Sequence, residues 1–160
     1  MSAHVVDTNV LVAGNERSGA TPECVEAAQQ RLRRIERSGT VVVDSTYEIL
    51  REYERNCRPR KQPGIGDLFL QWVHRNQANP HRCERVHITP GEEPHEYDEF
   101  PDDPALATFH KKDRKFVAVA ISSELSPVIV NATDRGWWEH REALRRNGIT
   151  VEFVHPGEFA

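Results

Sequence analysis

The sequence predicts an α/β fold, a three-layer α/β/α arrangement around a central parallel sheet. Short β-branched runs (AHVVD, TVVVD, VIVN) recur along the chain, amphipathic helical stretches fill the intervals between them, and two of the runs stop on an aspartate. Strands alternating with helices imply right-handed crossovers and a sheet covered on both faces. A chain of 160 residues, 38% hydrophobic and 29% charged, can bury one core but not two, so a single domain over residues 1–160 is expected.

The elements follow in order. Ala3 to Asp7 reads as a short strand ending on a carboxylate, and VVDTNVLV then runs into a polar loop over Gly14 to Gly19. Thr21 before Pro22 is a helix start, with Val25, Ala28, Leu32 and Ile35 at helical spacing until Gly39. Thr40 to Val43 is a second strand ending at Asp44, after which Ser45 can cap a helix whose face holds Ile49, Leu50, Tyr53 and Cys57. Arg58 to Gly66, with two prolines and two glycines, is a turn; Leu68, Phe69, Trp72 and Val73 mark a helix fading near Asn79-Pro80.

Arg85 to Thr89 reads as another short strand. Pro90 to Pro104 carries seven Asp or Glu, four prolines and no Lys or Arg, the composition of an exposed, solvated loop. Lys111 to Ser123 is the most apolar helix candidate, chosen over a strand because the alternation of elements requires a crossover there. Pro127 to Asn131 is a strand, Trp137 to Arg146 a helix closed by Gly148, and Ile149 to Val154 the final strand.

Composition narrows function. The longest apolar run, Phe116 to Ile121, is far too short to cross a bilayer, and MSAHVVD lacks the pattern of a secretory signal. Three widely spaced cysteines, Cys24, Cys57 and Cys83, form no disulfide framework, so a reducing, cytoplasmic setting is expected. A net charge of −4 denies the chain bulk attraction to nucleic acid. A polyanion must be held by local clusters, for which His110, Lys111, Lys112, Arg114 and Lys115, and Arg58, Arg60 and Lys61, are the candidates. Trp137 or Trp138 offers a stacking platform for an unpaired base, with core packing the competing role.

In open parallel sheets, ligands bind beyond the carboxyl ends of the strands. Asp7 ends the first strand, Asp134 follows the strand Val128 to Asn131, and Asp113 begins the apolar helix, so all three belong on one edge. Glu48 and Glu52, four residues apart on one helix, both qualify as a fourth acid, while Asp44 reads as a structural cap. Two carboxylates about 4 Å apart repel by roughly 4 kcal/mol at an effective dielectric of 20, and a divalent ion removes that conflict. An all-carboxylate site suits Mg²⁺ or Mn²⁺, and the natural reaction is hydrolysis at phosphorus by a metal-activated water.

VVDTNVLV with Asp7, ILREY with Glu52, DRKFVAVAI with Asp113 and NATDRGWW with Asp134 together resemble the four acidic signatures of the PIN-domain nucleases, which include VapC-like toxins, over Val5 to Val154. The resemblance implies a PIN-like sheet and a Mg²⁺- or Mn²⁺-dependent endoribonuclease cutting single-stranded RNA. It further implies Asp7 and Asp113 as central metal ligands, Glu52 as a third acid and Asp134 as a ligand or its anchor. Asn9, with Thr8, would orient the first loop, and Asn9, Lys112, Arg114 and Lys115 are the expected substrate contacts. A role as the toxin of a toxin–antitoxin pair, an antitoxin partner and a homodimer follow from the same likeness. Ala132 departs from the family's usual Thr or Ser two residues before Asp134, and the acidic loop is longer than a compact member needs.

Other classes remain to be weighed. A catalytically silent PIN-like module that binds RNA or protein would share the fold without the metal response. A phosphoacceptor receiver would want paired N-terminal acids and a lysine after a late strand, which Val6-Asp7 and ITVEFV do not supply. Cys57, His74, His81 and Cys83 lack the tight pairs of a zinc site.

Overall fold

A computed structural model describes residues 2–58 and 61–160. Five parallel strands form one sheet, β1 (Ala3–Val6), β2 (Thr40–Asp44), β3 (Cys83–Val86), β4 (Val128–Asn131) and β5 (Val151–Phe153), in the order β3-β2-β1-β4-β5. The order reverses between β1 and β4, and the crevice beyond their carboxyl ends is where such sheets receive ligands. Every residue of β1 and β2 is buried, which explains why both read as near-continuous apolar runs rather than alternating ones.

Among the described residues, seven helices flank the sheet: α1 (Thr8–Gly14), α2 (Pro22–Ser38), α3 (Glu48–Asn56), α4 (Ile65–Asn76), α5 (Arg114–Ser122), α6 (Arg135–Glu139) and α7 (Arg141–Arg146). One contiguous core joins the sheet to the helices that flank it, as the three-layer α/β/α expectation requires. Among the described residues, no helix is long and apolar enough to cross a membrane.

Several boundaries differ from the sequence reading. The stretch after Asp7 is a helix rather than a continued strand and loop. Asp7 Oδ1 accepts the Asn9 amide at 2.9 Å and starts α1, whose Val10, Leu11 and Ala13 are buried. That helix packs on α2 and α4 so closely that a Cβ on Gly66 would sit 2.1 Å from the Leu11 carbonyl oxygen. Buried Asp67 fixes the same junction, accepting from Asn15 Nδ2 at 3.0 Å and from the Gly64 amide at 2.9 Å. Ile65 and Gly66 therefore belong to α4, not to the preceding turn.

Asp44, not Ser45, caps α3: its carboxylate accepts the Glu48 and Ile49 amides, both at 2.9 Å, and the Thr46 hydroxyl at 2.7 Å. The helix expected from Trp137 to Arg146 starts at Arg135 and breaks at His140 into α6 and α7. The first turn of the expected Lys111 to Ser123 helix is a 3₁₀ turn over Lys111–Asp113. The third and fifth strands are Cys83–Val86 and Val151–Phe153 instead of Arg85 to Thr89 and Ile149 to Val154.

The acidic segment 90–104 is exposed along much of its length but pinned, not free. Pro90 pairs with Tyr97 in an antiparallel bridge, Thr89 donates to Glu99, and Tyr97 buries its ring while its hydroxyl donates to Glu48 at 2.9 Å. Phe100 stacks on Phe109, and Asp103 takes Arg146 at 3.0 Å. Acid count alone suggested a solvated loop; the aromatic residues set within it supply the anchors.

Candidate metal centre

Asp7 sits where β1 ends, at the reversal point of the sheet, and is 4% exposed. Its two oxygens are each held by one donor, the Asn9 amide on Oδ1 and the Trp137 indole on Oδ2 at 2.7 Å. Asp113 closes the 3₁₀ turn that leads into α5, and Asp134 caps α6, accepting the Gly136 amide at 2.8 Å. One carboxylate oxygen from each of Asp7, Asp113 and Asp134 lies within 4.8 Å of the other two, and these are the only three such groups that converge among the described residues.

Asn131, at the end of β4, builds the frame around them. Its Oδ1 accepts from Asn9 Nδ2 at 2.7 Å and its Nδ2 donates to the Asp134 carbonyl at 3.0 Å. Asn9 Oδ1 in turn accepts the Ala132 amide at 2.8 Å. The Asn9 side chain thus ties the start of α1 to the turn after β4, and with no hydroxyl at Ala132 that turn is held by the side-chain amides of Asn9 and Asn131. The cleft above has a volume of about 560 Å³, with Asn9, Glu52, Lys112, Asp113, Asp134 and His140 among its walls.

Crowding sets the electrostatics. Burial raises Asp7 from 3.8 to about 7, with its Asn9 and Trp137 donors pulling the other way and the charges of Glu52 and Asp134 adding to the rise. Asp113 is raised from 3.8 to about 8, again first by burial, then by the charges of Asp7 and Asp134 and by a hydrogen bond with Asp134. A pair of unit charges 4.8 Å apart repels by about 3.5 kcal/mol at an effective dielectric of 20. Without a cation, then, the carboxylates share a proton near neutral pH.

The donor set fits a hard divalent cation. An octahedral sphere with ligands at 2.0–2.1 Å spans about 4.2 Å between opposite oxygens. Three ligands cannot all lie opposite one another, and adjacent oxygens in such a sphere are about 2.9 Å apart, so the three aspartate oxygens would draw together by up to about 2 Å around an ion; all three are of the type that Mg²⁺ and Mn²⁺ prefer.

Glu52 is the cleft-facing acid of α3, whereas Glu48 is turned to Tyr97, which decides between the two carboxylates left open by helical spacing. Glu52 does not join the three aspartates, however. It accepts the Thr8 hydroxyl on one oxygen and Lys115 Nζ at 2.8 Å on the other. Lys115, expected at the substrate, is 5% exposed and faces inward. Arg114 is likewise committed elsewhere, its guanidinium bound to the Phe109 and Ala107 carbonyls and stacked over Phe100. Among the expected substrate contacts, Lys112 and Asn9 line the cleft. Arg60 lies outside the described residues.

Sequence reasoning did not find Asn131 or the Trp137 indole as parts of the site, nor His140 on its wall. His140 Nδ1 donates to the Gly136 carbonyl at 2.8 Å, which leaves Nε2 to accept from Thr108 at 3.1 Å. Trp137 is fully buried in the core, whereas Trp138 is half-buried, stacked on Phe159 with the Arg141 guanidinium over its ring. The signal for Trp137 lay in its spacing of three residues from Asp134, one helical turn past the cap. No family model, curated protein or solved structure matches the chain.

Proposed function

We propose that the protein is a Mg²⁺- or Mn²⁺-dependent phosphodiester hydrolase, an endoribonuclease of the PIN type acting on single-stranded RNA. The observation that carries this reading is the convergence of Asp7, Asp113 and Asp134, drawn from three distant segments, with Asp113 and Asp134 lining a cleft beyond the carboxyl ends of the strands and Asp7 buried beside them. A merely structural cluster would not need three converging acids, two of them raised, first by burial and then by neighbouring negative charge, to about 7 and about 8.

A bound divalent ion supplies a Lewis acid for the phosphate and lowers the pKa of a coordinated water. The three aspartates would hold it. The chain's own residues do the rest: Trp137 and the Asn9 amide fix the Asp7 carboxylate, Asn131 fixes the turn that presents Asp134, and Lys112 at the rim offers a cation to a phosphate oxygen. RNA rather than DNA, a toxin role, an antitoxin and a homodimer belong to this proposal through the resemblance of the four acidic segments alone, because hydrolysis by water does not use the 2′-hydroxyl.

The test is cleavage of single-stranded RNA with and without Mg²⁺ or Mn²⁺. Wild-type protein should cut only with the ion, and Asp7→Asn or Asp113→Asn should reduce cutting to background while circular dichroism stays unchanged. Undiminished cutting by either folded variant contradicts the assignment. A wild-type protein that binds RNA yet cuts none, with or without metal, identifies the silent module instead.

A further inference from the structure

Asp7, Asp113 and Asp134 converge at the cleft, Glu139 is exposed on its wall, and the fifth acid there, Glu52, is already neutralised by the chain itself. Lys115 lies two residues past Asp113 on the first turn of α5, and its side chain is 6% exposed. Its ammonium donates to Glu52 Oε1 at 2.8 Å and to the Lys112 carbonyl, and lies 5.0 Å from the centre of the Phe116 ring. The remaining oxygen of Glu52 accepts from Thr8. A desolvated ammonium is costly unless paired, so this contact is a fixed element of the fold rather than a surface ion pair that samples solvent.

We propose that Lys115 is a built-in counter-cation that takes the place of a second metal ion and makes the centre a one-ion site. The proposal rests on the metal-dependent reading above and concerns how many ions that site accepts. Three converging aspartates carry a formal charge of −3, which one divalent ion reduces to −1 and a second would invert to +1. With Glu139 exposed at the cleft wall, Glu52 is the sheltered acid that would balance a second ion, and its two oxygens are engaged by Lys115 and Thr8. Because Lys115 and Asp113 share one helical turn, the ammonium keeps its place beside the cluster whether or not an ion is present. Lys115 is thus a positioning residue: it acts through Glu52 and the charge of the site, not on substrate.

The experiment is Mn²⁺ stoichiometry, read from the free-ion electron paramagnetic resonance signal and by equilibrium dialysis up to millimolar Mn²⁺. Wild-type protein should bind one ion per chain. Lys115→Met frees Glu52 and should bind two, Lys115→Arg should keep one, and the double variant Lys115→Met with Glu52→Gln, which removes both charges, should return to one. Two ions in the wild type, or one in folded Lys115→Met, overturns the proposal while leaving the metal-dependent reading intact. If Lys115→Met does not fold, Lys115→Gln, which also removes the ammonium, is counted in its place, with two ions expected and one overturning the proposal. No bound ion in the wild type overturns both, and Asp113→Asn then serves as the matching blank.

Discussion

Two strands side by side in this sheet end on the same residue, and the two aspartates have opposite fates. Asp44, at the end of β2, is fully buried and saturated: Thr46, Glu48 and Ile49 all donate to it, and it organises the first turn of α3. Asp7, at the end of β1, receives one donor per oxygen and faces two other carboxylates. Position at a strand end does not distinguish a cap from a ligand. What distinguishes them is the account of donors: Asp44 spends its negative charge on its own backbone, whereas Asp7 has charge left over for a cation. The difference arises from the sheet order, since β2 has a strand on each side without reversal and β1 lies at the reversal.

That contrast breaks most readily at Asp44. Asp44→Ala strips partners from two buried amides and should destabilise the protein by roughly 3 kcal/mol or more, which thermal unfolding would read as a fall of about 6–12 °C. If Asp44→Ala melts with the wild type, the capping role assigned here is wrong.

The pH dependence of the metal-free protein comes next. Asp7 and Asp113 have folded values raised above the unfolded ones, so their contribution favours folding while both stay protonated, below about pH 4, and is lost as pH rises through about 7 and 8. Denaturant titrations between pH 4 and pH 9 should show a loss of a few kcal/mol over that window, after other titrations are matched with the Asp7→Asn, Asp113→Asn double variant. A stability that rises across the window would show that the acids are not crowded. Saturating Mn²⁺ at one hundred times its Kd should stabilise the wild type at neutral pH by about 2.7 kcal/mol.

The smallest expected effect sharpens the comparison from the other side. Asp113→Asn replaces the shared proton of the Asp113–Asp134 contact with an amide N–H, so the metal-free variant should melt within about 1 kcal/mol of wild type. It should also lose the Mn²⁺ stabilisation. A large loss of metal-free stability would mean that Asp113, like Asp44, is structural.

The alternation of elements was legible because each strand is a short β-branched run bounded by helix-start chemistry, as at Thr21-Pro22, where the Thr21 hydroxyl accepts the Cys24 amide. The helix Thr8–Gly14 was not, since the β-branched Val10 and Val12 favour a strand by propensity and packing against α2, α4 and the sheet makes the segment helical. Of the site, the three aspartates could be placed from strand ends and helix starts alone. Lys115 could not, because sequence shows a lysine in the cluster HKKDRK without showing that one of its members turns inward to meet an acid 63 residues away. Asn131 was hidden for the same reason: its partners Asn9 and Asp134 meet only once the crossovers are made.

A crystal grown with Mn²⁺ and recorded at the manganese absorption edge tests the central claim most directly. An anomalous peak bound by oxygens of Asp7, Asp113 and Asp134 is the expected map, with Glu52 still on Lys115. A cleft that stays empty at saturating Mn²⁺, or a peak elsewhere on the chain, contradicts it.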